Sequence, residues 1–140
     1  MRRVIILVAG LCLYPQIFSQ GIAIEEPVKM LALGDSYTIG ASVAVEERWP
    51  HQFVAALNDI GIEAGTPDYI ALTGWTTQNL LGGIDRQLDT TKAYNLVSIL
   101  IGVNNQYQGQ PIESYEPDLR KIIEHALEVL RDRNFDLAVL

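Results

Sequence analysis

The residues of this sequence whose types and spacing suit chemistry are one serine, one glycine and a pair of asparagines. Ser36 lies in the heptapeptide GDSYTIG at residues 34–40, directly after a short apolar run. Gly74 follows a second apolar run, and Asn104 and Asn105 follow a third. If these runs are parallel strands, their carboxyl ends meet at one edge of a sheet, where α/β proteins bind ligands. A serine at this position is a candidate nucleophile.

Each of the three clusters is weak evidence when it is taken alone. The tripeptide Gly-Asp-Ser is short enough to arise by chance, and a glycine after a strand is normally a turn residue. An asparagine pair is normally a turn or a helix cap. The functional signal is therefore the convergence of all three clusters on one rim of a sheet.

The elements that must position these clusters alternate along the chain between strands and helices. Short, nearly continuous apolar runs are typical of strands buried on both faces of a parallel sheet. These runs cover residues 28–33, 68–72, 96–101 and 135–140. Between them, apolar residues recur at the three- and four-residue spacing of helices. The helical patterns cover residues 49–60, 77–88 and 116–133, with Pro50 and Pro117 placed for first turns and Gly82-Gly83 interrupting the middle pattern.

This alternation predicts a doubly wound parallel sheet with right-handed crossovers and helices on both faces, which is a three-layer α/β/α architecture. A chain of 140 residues holds at most one such domain. The last apolar run ends at Leu140 with no helix after it, and natural domains rarely stop at an unfinished edge strand. We therefore expect the domain to be truncated after its fourth strand.

The amino terminus has the features of an export signal in their usual order. Residues 1–3 are Met-Arg-Arg, residues 4–14 are apolar, a proline then breaks the run, and Ser19 places a small residue before a cleavage site. The sequence predicts a cleavable signal peptide over residues 1–19, a domain over residues 20–140, and a secreted or periplasmic protein. The apolar run is too short to anchor the chain across a bilayer. The alternative interpretation is a buried strand at the start of the domain.

Composition excludes several other classes of protein. The net charge is −7 and no basic patch occurs, which argues against nucleic acid as a partner. Hydrophobic residues make up 49% and charged residues 19% of the chain, as in a globular protein. Cys12 is the only cysteine and lies inside the predicted signal, so we expect no disulfide in the mature chain. The histidines have no further ligands at metal-binding spacing, and we expect neither a metal nor a cofactor.

Together the three clusters resemble the SGNH hydrolases, also called the GDSL lipase/esterase family. Residues 34–36 match the Gly-Asp-Ser block, Gly74 matches the glycine block, and residues 102–105, Gly-Val-Asn-Asn, resemble the Gly-x-Asn-Asp block. The resemblance covers about residues 29–140. It implies a flavodoxin-like fold and a hydrolase of carboxylic esters that forms an acyl-serine intermediate.

The resemblance also implies a role for each matched residue. Ser36 would be the nucleophile, and the backbone N–H groups of Ser36 and Gly74 would bind the oxyanion with the Asn104 side-chain amide. Such pre-aimed donors typically contribute about a hundred- to a thousandfold each to the rate. Glycine allows close backbone approach, and asparagine donates without adding a charge. Tyr37 and Tyr107 are candidates to line the substrate pocket, with packing at its rim as the equal alternative.

Two residues near the candidate nucleophile have expected structural roles. Asp35 is expected to stabilise its turn, because carboxylates readily accept hydrogen bonds from nearby backbone amides. Asn105 stands where the family has an aspartate that is generally structural, so we expect this replacement to have a modest effect.

The family's proton acceptor is missing from this sequence. A serine hydroxyl is a weak nucleophile without a neighbouring base, and the family supplies one from an Asp-x-x-His block. No such block occurs, and the two histidines, His51 and His125, are interpreted as ordinary residues of solvent-facing helix surfaces. We expect the 140-residue chain to be inactive or very weak alone.

Two other classes of function remain open from the residues. One is a secreted, non-catalytic binding module for a carbohydrate or another partner on the same fold. The other is a nucleotide or phosphate binder that uses residues 34–40, although this segment lacks the lysine and the glycine density of a phosphate-binding loop. For a hydrolase, the substrate could be a small-molecule, lipid or carbohydrate ester, because specificity depends on loops.

Overall fold

The computed structural model describes residues 27–130. The predicted signal peptide at residues 1–19, with Cys12, and the predicted fourth strand at residues 135–140 lie outside these described residues.

The described chain alternates between strands and helices as the sequence predicts. The strands are β1 (Met30–Gly34), β2 (Asp68–Ala71) and β3 (Leu96–Leu100). The helices are α1 (Ser36–Ile39), α2 (Trp49–Asp59), α3 (Thr77–Gln87), α4 (Val103–Tyr107) and α5 (Ile112–Leu130), with a short 3₁₀ turn at Val45–Glu47.

The three strands form one parallel sheet in the order β2-β1-β3. The chain therefore leaves β1 for a neighbour on one side and later returns to a neighbour on the other side. Gly34 at the end of β1 pairs with Ala71 of β2 and with Leu100 of β3, so all three strands end at the same level. In open α/β sheets, ligands bind in the crevice at such a reversal of strand order. We call this side of the sheet the carboxyl edge.

Helices cover both faces of the sheet, which confirms the predicted layers. All five residues of β1 are buried, because successive side chains of a strand point to opposite faces and both faces are covered. Leu31 and Leu33 belong to one core cluster with residues of α3 and α5, including Leu80 and Ile122. The alternate residues of β1, Met30 and Ala32, face the other side of the sheet, where they pack with Val54 of α2.

Two details of the predicted helices are wrong. Gly82-Gly83 does not interrupt α3, because the helix is continuous and the Trp75 ring lies over Gly83, where a Cβ would be 2.6 Å from ring atom Cζ3. Pro117 does not lie in the first turn of α5, because the helix begins at Ile112. The proline lacks an N–H and leaves one carbonyl of the preceding turn without its helical partner. The helical spacing in the sequence does not predict α1 or α4, since elements of four and five residues are too short to show periodicity.

A glycine at the end of β1 is required by close packing. A Cβ on Gly34 would lie 2.5 Å from the Leu100 carbonyl oxygen and would also meet the Thr38 side chain. We expect Gly34→Ala to lower the free energy of unfolding by about 1–3 kcal/mol, measured by urea denaturation. Gly65→Ala is the matched control, since its Cβ would have no neighbour nearer than 3.8 Å. Equal effects of the two substitutions would contradict this explanation.

A charged cluster joins β2 to the segment before β3 at the opposite edge of the sheet. Asp68 Oδ2 accepts hydrogen bonds from Lys92 Nζ at 2.7 Å and from the Tyr94 hydroxyl at 2.8 Å. Burial alone would raise the pKa of Asp68, but these two hydrogen bonds outweigh it and lower the pKa below its usual value. Burial, followed by the bond to Asp68, raises the pKa of Tyr94.

This cluster predicts a pH dependence of stability. A carboxyl group whose pKa is lowered by folding stabilises the native state above its unfolded pKa of about 4. That stabilisation is lost as the pH falls through the lower folded pKa. We therefore expect Asp68→Asn to melt below the unchanged protein at pH 7, with the difference in Tm shrinking below about pH 4. Lys92→Met should weaken the same pH dependence, and a difference in Tm that stays constant down to about pH 3 would contradict the assignment.

Candidate active site

The candidate nucleophile lies at the carboxyl edge of the central strand. Ser36 is half-buried and is the first residue of α1, immediately after the turn that ends β1. The buried Asp35 caps this helix, and its Oδ1 accepts the Tyr37 backbone N–H at 3.0 Å. This contact confirms the predicted turn-stabilising role of Asp35. Within residues 27–130 the Ser36 hydroxyl makes no hydrogen bond, so it is available to a ligand.

Gly74 lies in the turn that follows β2. Its φ of 81° is in the left-handed region that favours glycine. The turn is closed by a hydrogen bond from the Trp75 N–H to the Leu72 carbonyl at 3.2 Å. Nothing lies within 4 Å of the position that a Cβ on Gly74 would take. Glycine is therefore required here for its backbone conformation, and the space beside it is open.

Asn104 connects all three loops at the carboxyl edge. Its side-chain Nδ2 donates to the Trp75 carbonyl at 3.0 Å and to Asp35 Oδ2 at 3.4 Å. Asp35 precedes Ser36, and Trp75 follows Gly74. The structure therefore brings Asn104 into contact with the direct neighbours of the other two residues that the sequence singled out. The contact to Asp35 is long and correspondingly weak.

The buried Asn105, next to Asn104, makes several hydrogen bonds that hold α4 in place. Its Oδ1 accepts the Thr77 backbone N–H at 3.0 Å. Its Nδ2 donates to the Thr77 hydroxyl at 2.8 Å and to Gln110 Oε1 at 2.9 Å. The Thr77 hydroxyl in turn donates to Asp118 Oδ2 at 2.9 Å. These bonds join the start of α3 to α4 and α5, and they give the residue that replaces the family's aspartate a structural role.

Sequence reasoning missed one further contact at this edge. Gln108, directly after α4, donates from Nε2 to the Gly74 carbonyl at 3.1 Å. The available signal was its position four residues after Asn104, which is the spacing that places two side chains on one helix face.

The two tyrosines proposed as substrate contacts are exposed. Tyr37 lies on α1 and is 65% exposed, and Tyr107 lies on α4 and is 89% exposed. Tyr107 therefore leaves most of its surface free.

Both histidines are half-buried and lie close to polar side chains of other residues. His51 on α2 is half-buried, its ring stacks on Tyr69 at 5.8 Å between ring centroids, and its Nδ1 lies 2.6 Å from the Tyr69 hydroxyl. His125 on α5 is also half-buried, and its ring nitrogens lie 3.9 Å from an Asp85 oxygen and 3.8 Å from a Glu128 oxygen. The half-buried, stacked ring of His51 differs from the solvent-facing position that the sequence predicted, whereas His125 lies beside exposed carboxylates on a partly solvated face, as predicted.

Among residues 27–130, no group of three or more His, Cys, Asp or Glu side chains is arranged to hold a metal ion. In the same range, no helix has both the length and the apolar character that a membrane-spanning helix needs.

The fold and the site define a parallel α/β protein with an accessible serine at its strand-order reversal. Residues 32–137 match the model of the GDSL-like lipase/acylhydrolase family. The chain belongs to this family, which confirms the resemblance seen in the sequence.

Named relatives agree with this membership. An arylesterase of Vibrio mimicus is 31% identical over 123 residues, which are 88% of this chain and 57% of that protein. The crystal structure of AlinE4, a SGNH-hydrolase family esterase, is 27% identical with a TM-score of 0.63, over 75% of this chain and 56% of that one. The structure of TesA shares the fold, with a TM-score of 0.65 at 20% identity, over 73% of this chain and 56% of that one. The chain thus spans a little over half the length of these relatives.

The buried hydrogen bonds of Asn105 predict a loss of stability when they are removed. Asn105→Ala would leave the Thr77 N–H without its acceptor, and we expect the free energy of unfolding to fall by about 1–3 kcal/mol in chemical denaturation. Gln106→Ala is the matched control, because Gln106 is exposed on the same helix. A control variant as unstable as Asn105→Ala would show that α4 tolerates no truncation and would remove the support for a specific role of Asn105.

Proposed function

We propose that this chain carries the acyl-transfer machinery of a carboxylic ester hydrolase, with Ser36 as the nucleophile. The observation that carries the proposal is the Asn104 amide, which links the loop after β1 to the loop after β2. One of its two hydrogens is held by the Trp75 carbonyl at 3.0 Å. The other is directed at Asp35 over a long 3.4 Å contact. Because this hydrogen bond is weak, the amide can exchange it for a bond to an oxyanion, which is a stronger acceptor.

In the proposed reaction, the Ser36 Oγ attacks the acyl carbon of the ester and its proton passes to a base. The carbonyl π electrons move onto the oxygen, which becomes an oxyanion beside the Ser36 and Gly74 N–H groups and the Asn104 amide. Collapse of this intermediate expels the alcohol, which takes the proton back from the base, and leaves an acyl-Ser36 ester. Water then attacks this ester, releasing the carboxylic acid and restoring the Ser36 hydroxyl. Within residues 27–130 the Gly74 N–H makes no hydrogen bond, so it is free to donate.

We propose that neither His51 nor His125 is the base of this reaction. His51 already contacts the Tyr69 hydroxyl through Nδ1, and Tyr69 pairs with Ala32 in the middle of β1. Ser36 comes four residues later, beyond the end of the strand. On this proposal the 140-residue chain is a fragment with only weak activity, because loss of the base leaves the contribution of the oxyanion site and substrate binding.

The proposed substrates are small-molecule esters of carboxylic acids. The names of the arylesterase of Vibrio mimicus and of the esterase AlinE4 support this class. The exposed rings of Tyr37 and Tyr107, on helices that begin at the carboxyl edge, are proposed to contact the substrate. We also propose a secreted or periplasmic location, which the sequence pattern predicted to be an export signal over residues 1–19 supports.

The test is hydrolysis of p-nitrophenyl acetate by the 140-residue chain and by the protein expressed to its gene's natural stop codon. We expect robust turnover only in the second form. Ser36→Ala should abolish that turnover, and Asn104→Ala should lower kcat by about a hundred- to a thousandfold. His51→Ala should leave it nearly unchanged. Robust turnover by the 140-residue chain that disappears in His51→Ala would overturn our assignment of the base.

A further inference from the structure

We propose that Gln108 is a positioning residue that sets the Gly74 N–H relative to the Asn104 amide. This inference rests on the proposed function, in which both groups bind the oxyanion. Gln108 Nε2 donates to the Gly74 carbonyl at 3.1 Å, and Asn104 Nδ2 donates to the Trp75 carbonyl at 3.0 Å. Two donors from one end of the site thus hold two consecutive peptide units of the loop after β2.

The spacing of the two donors matches the geometry of a helix. Asn104 and Gln108 are four residues apart, and side chains at this spacing lie one above the other on the same helix face. Their acceptors follow each other directly along the chain. Asn104 alone would fix the loop at one point and leave it free to pivot, whereas two points fix its orientation as well as its position.

The loop is anchored at one end by Trp75, whose ring packs over Gly83, but its other residues have few contacts of their own. Glycine gains conformational freedom from the missing Cβ, and Gly74 has no neighbour within 4 Å of the Cβ position. Leu72, at the other end of the turn, is 53% exposed and contributes little packing. Within residues 27–130, the backbone bond from Trp75 to Leu72 is the one main-chain hydrogen bond that closes this turn.

A hydrogen bond from an exposed glutamine adds little to global stability, because water competes for both partners. Its effect on the rate is expected to be larger, since donors that are misplaced by about 1 Å can lose up to about a hundredfold in rate. A positioning role therefore predicts a loss of kcat that is out of proportion to any loss of stability.

The experiment uses the protein expressed to its natural stop codon and p-nitrophenyl acetate as the substrate. We expect Gln108→Ala to lower kcat by about tenfold or more, with KM changed by less than about twofold and Tm nearly unchanged. Gln108→Glu, which keeps the size but loses the donor, should behave in the same way. Gln108→Lys restores a long donor and should recover part of the rate, and Gln106→Ala is the matched control on α4.

The outcomes separate this proposal from the function on which it rests. If Ser36→Ala or Asn104→Ala keeps the unchanged protein's activity, the proposed function is wrong. If both lose activity while Gln108→Ala and Gln108→Glu keep their kcat, only the role of Gln108 is wrong. A loss of kcat that follows a matching fall in Tm in both Gln108 variants would also overturn it, since a structural contact explains that result.

Discussion

The arrangement of the site depends on one side-chain amide that joins three loops. The Asn104 amide contacts the Asp35 carboxyl group and the Trp75 carbonyl, and it does so from α4, the short helix that follows a third strand. This is possible because β1 is the central strand, so that the loops after β2 and β3 flank the loop that carries Ser36. Parallel pairing in register then brings the three strand ends to the same level. The sheet places the loops, and the amide links them.

A second set of polar contacts holds that amide in place. Asn105 follows Asn104 on α4 and bonds to Thr77 at the start of α3, while Thr77 bonds to Asp118 on α5. Buried polar groups are costly unless they find partners, and here every member of the chain of contacts has one. The apolar packing of α3 and α5 therefore holds Thr77 and Asp118, and their hydrogen bonds hold α4. In this way α4 places Asn104 beside the residues next to the nucleophile.

The two edges of the sheet have different roles. At the opposite edge, Asp68, Lys92 and Tyr94 form a charged cluster that ties β2 to the segment before β3. Its members are satisfied by each other, as expected for a structural contact. At the carboxyl edge of the described chain, by contrast, the Ser36 hydroxyl and the Gly74 N–H are left without partners. Both groups are therefore available to a ligand, and the space beside Gly74 is open.

Sequence alone determined the family, the parallel α/β class, the succession of the described strands along the chain and the residues that follow each strand. It could do so because continuous apolar runs, helical spacing and the Gly-Asp-Ser block are local patterns. The short helices α1 and α4, the early start of α5 and the packing of Trp75 on Gly83 came only from the tertiary structure. The same holds for the contacts of His51 and Gln108, since a hydrogen bond between residues far apart in sequence leaves no periodic trace. Which side chains meet is decided by how the strands are ordered and where the loops turn, and only folding in three dimensions sets both.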